Sequence, residues 1–164
     1  MLTNPFLRWM DRLYGFIVTI GSNLQSLILL YLRLTWGHQY FVTGLEKLKN
    51  IDSTIQFFTN LNFSHPIFHA YEVAIIQTVG GILLFIGLAS RLAAIPLIIV
   101  TSTILITAHK ESLANLSFIS DPHILVIQEP FPFLLTALII LAFGPGRISL
   151  DALLKRWMNQ QPRY

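Results

Sequence analysis

Hydrophobic positions along this chain gather into long runs separated by short polar stretches. Between Phe6 and Ile20, the residues Phe6, Trp9, Met10, Leu13, Phe16, Ile17 and Ile20 recur at the spacing of one helix face, with Arg8, Asp11 and Arg12 off it. This pattern predicts an amphipathic helix over about 6–20 that lies in a membrane interface. Ser22 or Asn23 suits the cap of a second helix over about 24–46, which opens "LQSLILLYLRLTWG". Three further stretches, Val73 to Ala89, Leu92 to Ala108 and Phe131 to Phe143, contain no charge. That is what crossing roughly 30 Å of hydrocarbon demands.

The punctuation between the runs sets the boundaries. Lys47 to His65 is polar and reads as a short surface helix and a turn. Pro66 suits the first turn of a span over 66–89. In "IGLASR", Gly87 suits a left-handed C-terminal cap and Arg91 the helix dipole or lipid headgroups. So few residues follow before the next span, 92–109, that the two must form an antiparallel hairpin. Asp121-Pro122 opens a fourth span over 122–143, in which Pro130 and Pro132 either kink the helix or mark its true start. Gly144 closes that span, Pro145 cannot continue it and Gly146 turns the chain. Ser149 then caps a helix over about 149–158, with Asp151 at its positive end. The expected fold is an all-α membrane protein: a single domain over 1–164, an antiparallel bundle of four transmembrane helices with an interfacial amphipathic helix at each end.

Composition agrees: 54% of the 164 residues are hydrophobic and only 12% charged, against about a quarter charged in soluble domains. The absence of cysteine excludes thiolate chemistry and Cys-ligated clusters, so any redox role needs a bound cofactor. The net charge of +3 reads as a topology signal, because the basic residues sit at segment ends and form no stripe for nucleic acid. Arg8, Asp11 and Arg12 interrupt the place where a signal peptide's apolar core would lie. Arg8, Arg12, Arg91, Arg147, Lys155, Arg156 and Arg163 fall on the side of the termini, against Lys47, Lys49 and Lys110 opposite. This bias predicts cytoplasmic termini.

Polar groups inside membrane segments are costly and are candidates for function. Arg33, Gly37, Tyr40, Gly44 and Lys47 form a stripe at spacings of four, three, four and three. Arg33 is either an anion or quinone-carbonyl partner, or a snorkelling arginine beside glycines that allow close helix contact. His38, Glu72, His109 and Glu129 fall toward the non-cytoplasmic half. There they either exchange protons with a quinone or face headgroups and water. His38 and His109 match poorly in depth as haem ligands. His65, His69 and Glu72 are spaced as a metal face, but Pro66 sets His65 at the helix start, and no metal site is expected. Gly80-Gly81 and Gly87 serve close packing.

The segments "YLRLTWGHQYFVTGLEKL" (31–48), "GGILLFIGLASRLAA" (80–94) and "FGPGRISLDALL" (143–154) together resemble the DoxX family of small four-helix membrane proteins. In that family the glycines at 37, 44, 80, 81, 87, 144 and 146, with Arg91, Pro145, Arg147, Ser149 and Asp151, make up the structural motif. The resemblance implies a glutamate where this chain has Gln77, three residues before the paired glycines. Glutamine keeps an acceptor and adds donors but cannot ionise. Glu129 matches the family's acidic position at the start of the fourth span. Some members are similar to subunits of quinone-linked oxidoreductases, and others act beside peptide-modifying oxidases or as membrane receptors and chaperones. The leading expectation is therefore an accessory or redox subunit in a bacterial inner membrane, with quinone as the ligand to consider and Arg33, His38, Glu72, Gln77, His109 and Glu129 as candidate site residues. The implied partners are the lipid bilayer, a membrane-associated oxidoreductase or peptide-modifying oxidase, and further copies of the chain. The rival expectation is a non-catalytic scaffold, receptor or chaperone.

Overall fold

A computed structural model describes residues 5–108, 110 and 123–160. Among these the secondary structure is helical throughout: α1 (Pro5–Lys49), α2 (Ile51–Asn60), α3 (Pro66–Ile86), α4 (Ser90–Ala108), α5 (His123–Val126), α6 (Pro130–Phe143) and α7 (Leu150–Gln160).

The first departure from expectation is α1, one continuous helix of 45 residues where a break was expected at Ser22 or Asn23. The hydroxyls that could have capped a new helix are spent on the existing one. Thr19 donates to Gly15 O at 2.8 Å, Ser22 to Val18 O at 2.9 Å and Ser26 to Ser22 O at 3.3 Å. Such back-bonding lets Ser and Thr sit inside a helix without ending it. Residues 10–21 are exposed throughout.

The stripe Arg33, Gly37, Tyr40, Gly44 is fully buried, and Lys47 is half-buried at its end. It packs on α3 with almost no gap. A Cβ on Gly37 would lie 2.8 Å from Phe85 N, and one on Gly81 would lie 2.8 Å from Gly37 O. Backbone meets backbone here, so only glycine fits. Contact positions rise along α1 as they fall along α3: Gly37 meets Phe85, and Gly44 meets Thr78. Gly80 faces a side chain of α4 instead, where a Cβ would lie 2.9 Å from Leu97 Cγ. Tyr40, Leu84, Leu97, Ala137 and Ile140 form the central core, and Phe58, Ala70, Val73 and Val100 a second cluster under α2.

Pro66 opens α3 as expected, and Gly87 closes it in the left-handed conformation, φ 73°, ψ 37°. Three helices, α1, α3 and α4, are long and apolar enough to cross a membrane. The fourth segment differs. Its expected opening at Asp121-Pro122 lies outside the described residues, as does His109 at the expected end of the third span. The described part leaves the helix after Val126 and restarts at Pro130. Pro130 sits at the first helical position, where its missing N–H has no intrahelical partner to lose, so it marks a start and not a kink. The resulting α6 has 14 residues, about 21 Å of rise, shorter than the hydrocarbon layer. It packs along α4 and touches α1.

Candidate functional site

The polar residues of the helix cluster separate into two groups at its opposite ends. At the end where α3 meets α4, Arg33 is 2% exposed and its Nη2 donates to Ile148 O at 2.7 Å. Its Nη1 lies under Gly87, where any Cβ would collide with it. Its Nε and Nη1 have no hydrogen-bond partner among the described residues. The carboxylate of Asp151 supplies an opposing charge. That carboxylate has a task the sequence did not reveal. Instead of serving only its own helix, it accepts from Ala89 N at 2.7 Å and Ser90 N at 3.1 Å, capping the N-terminus of α4 across 61 residues or more of sequence. In return, Asp151 N donates to Gly87 O at 3.0 Å. Ser149 does cap α7 as expected, accepting from Ala152 N at 3.1 Å. The hairpin 87–91 and the segment 144–151 are thus two halves of one clasp.

At the other end, a cavity of about 490 Å³ opens between the C-terminal part of α1, the middle of α3, the end of α4 and the start of α6. Inside it Lys47 Nζ donates to Gln77 Oε1 at 2.9 Å. Gln77 is 5% exposed, so the amide is fixed by this contact and by the surrounding helices. Glu129 lines the same cavity from the residue before α6, within electrostatic reach of Lys47. Phe133 and Phe58 supply apolar wall. Thr101 closes the inner side: its hydroxyl donates to Leu97 O at 2.6 Å, so at 3.1 Å the buried Tyr40 hydroxyl is the donor to Thr101 Oγ1. Tyr40 and Trp36 both stack edgewise on Phe133, with centroids 4.7 and 4.9 Å away. A mostly apolar pocket with a few converging polar groups is the usual form of a small-molecule site.

The six candidates from the sequence do not form one site. Gln77 and Glu129 share the cavity, while Arg33 belongs to the clasp at the far end. His38 is exposed on α1. Glu72 pairs with His69, whose Nδ1 lies 3.0 Å from Oε2, and neither lines the cavity. His109 lies outside the described residues. Among the described residues no three His, Asp or Glu side chains gather as metal ligands. Lys47 is the member that sequence reasoning underrated. Its signal was present as the last position of the buried stripe, where a cation must find a partner.

A membrane-embedded helical protein with a glycine-packed core and a polar cavity is the class these features define. Residues 28–110 match the DoxX family, a stretch that takes in α1 from its buried part through the whole of α4, and the chain belongs to that family. It is also similar to a Bacillus subtilis (strain 168) protein named "Putative oxidoreductase CatD", 42% identical over 66 residues. That match covers 40% of this chain and 48% of the relative, so it spans about half of the relative's length. No solved structure matches the chain.

Proposed function

We propose that this chain is an integral subunit of an oxidoreductase system in the bacterial inner membrane, and that the cavity at Lys47 and Gln77 holds the carbonyl headgroup of a quinone. The carrying observation is the Lys47 ammonium, held 2.9 Å from Gln77 Oε1 on the wall of a 490 Å³ cavity with mostly apolar surroundings. A cation in that setting keeps donors for a ligand, since an ammonium has three and Gln77 takes one. The printed name of the Bacillus subtilis relative supports the oxidoreductase context.

In this reading four segments cross or enter the bilayer in alternating directions, α6 being the short one. The clasp and both termini face the cytoplasm, in keeping with the seven-to-three charge bias. The cavity then opens toward the outer half. A bound quinone supplies a two-electron, two-proton acceptor. Lys47 Nζ donates to a ring carbonyl oxygen, Gln77 fixes the ammonium, and the exposed Glu129 carboxylate passes protons between the cavity and water. Gln77 in place of the family's usual glutamate assigns proton exchange to Glu129 and leaves position 77 a hydrogen-bonding role.

Purified protein in detergent, titrated with short-chain quinones and followed by tryptophan fluorescence, tests the reading. Trp36 packs on a cavity wall residue and reports occupancy. Saturable quenching is expected, and Lys47→Met should weaken it roughly 10- to 100-fold, the worth of one hydrogen bond to a charged group. No saturable binding and no co-extracted quinone would leave the proposal without its ligand. A second reading, a non-catalytic scaffold, is favoured by residues 10–21 of α1, which carry exposed Leu13, Phe16, Ile17 and Ile20 with none of the described helices over them. Mild extraction that retains a stoichiometric partner, with Lys47→Met silent, would select it.

A further inference from the structure

Beside the clasp lies a second cavity, of about 630 Å³, bounded by α1 near Ser22 and Gln25, the 144–149 segment and α7. Arg91, Arg147, Lys155 and Arg156 all line it, and all four are exposed. Arg91 Nη2 donates to Ala142 O and Arg147 Nη1 to Asn23 Oδ1, each at 3.3 Å, which steadies two guanidinium groups while leaving their other donors free for the cavity. The one carboxylate in the wall, Asp151, has both oxygens engaged by the backbone of residues 89 and 90. Among the described residues no carboxylate lies within ion-pair distance of any of the four cations. Four like charges around one cavity, uncompensated by any ion pair among the described residues, repel one another unless an anion sits between them.

We propose that this cavity binds a phosphate-bearing anion, supplied either by the headgroup of an acidic phospholipid or by a soluble phosphate. Guanidinium groups recognise phosphate by paired N–H donors, and the two that are braced here lose little freedom on binding. Phe143, in the cavity wall, and Leu153, Leu154 and Trp157 on α7 are exposed apolar neighbours. They set the site where acyl chains and headgroups meet.

The test uses the full chain in a neutral maltoside detergent, with thermal unfolding followed as phosphatidylglycerol, phosphatidylcholine or inorganic phosphate is added. Phosphatidylglycerol should raise the unfolding temperature saturably, and phosphatidylcholine should not. If inorganic phosphate reproduces the shift, the source is soluble; if only phosphatidylglycerol acts, it is the lipid. The double variant Lys155→Gln/Arg156→Gln touches two exposed side chains that make no side-chain hydrogen bond among the described residues. It should weaken the response roughly fivefold per charge removed, while Lys49→Gln at the far end leaves it unchanged. Native mass spectrometry should show the double variant losing bound phospholipid or phosphate while circular dichroism shows an intact fold. Equal responses to the two lipids with none to phosphate, or a double variant that binds like wild type, would overturn the proposal.

Discussion

Arg33 and Lys47 stand fourteen residues apart on one face of one helix, yet they meet opposite surroundings. Arg33 is sealed: 2% exposed, under a glycine that admits no side chain, donating to Ile148 O and balanced by a carboxylate that caps another helix. Lys47 is held by one amide in the wall of a cavity large enough for a ligand. The sealed cation donates to one backbone carbonyl, Ile148 O, and packs under Gly87, which suits it to fixing how α1 meets the turn after α3 and the segment before α7. The open one has spare donors and room in front of it. A buried charge alone does not mark a binding site; space beside it does.

Asp151→Ala should break the sealed end most severely. It strips two N–H groups at the start of α4 of their acceptor and removes the charge that opposes Arg33, for a loss of roughly 2–3 kcal/mol. Thermal unfolding in detergent would register it, with proteolysis increasing at 87–91 and 144–151 and quinone binding at the other end unchanged. Gly81→Ala should act next. Its methyl meets backbone atoms of Phe41 and Gly37 that cannot rotate away, so α1 and α3 must separate, at about 1–2 kcal/mol. Both ends should loosen together, since the contact lies between them. The smallest effect is expected from Gln77→Glu, which replaces a neutral acceptor for Lys47 by a charged one. A charge-assisted bond should add about 1 kcal/mol of stability. It should also weaken quinone binding, because the ammonium is then more fully engaged. A change confined to this end, with the clasp unaffected, would sharpen the contrast drawn between Arg33 and Lys47.

Features governed by neighbours in sequence were legible in it. The stripe from Arg33 to Lys47, the left-handed cap at Gly87 and the turn at Gly144–Gly146 all follow from helix spacing and from the positive φ that Gly87, Gly144 and Gly146 adopt. Features that depend on distant residues were not. Nothing local says that Asp151 caps α4, because its partners are the N–H groups of Ala89 and Ser90. The separation of Arg33 from the cavity residues is of the same kind, because Arg33 meets Ile148 and Gln77 meets Lys47 across long stretches of sequence. The expected break at Ser22 failed because a hydroxyl has two local uses, capping or bonding back four residues, and both are compatible with the same sequence.

The continuity of α1 has a mechanical consequence. Its 45 residues rise about 67 Å, and from Ser22, at the rim of the second cavity, back to residue 10 an exposed arm of about 18 Å extends beyond the other described helices. A helix without a hinge transmits rotation undiminished. If α1 tilts by about ten degrees against α3, the tip of that arm moves by about 3 Å relative to its base at this rise per residue. Occupancy at Lys47, at one end of this lever, would thereby be readable as displacement at the other.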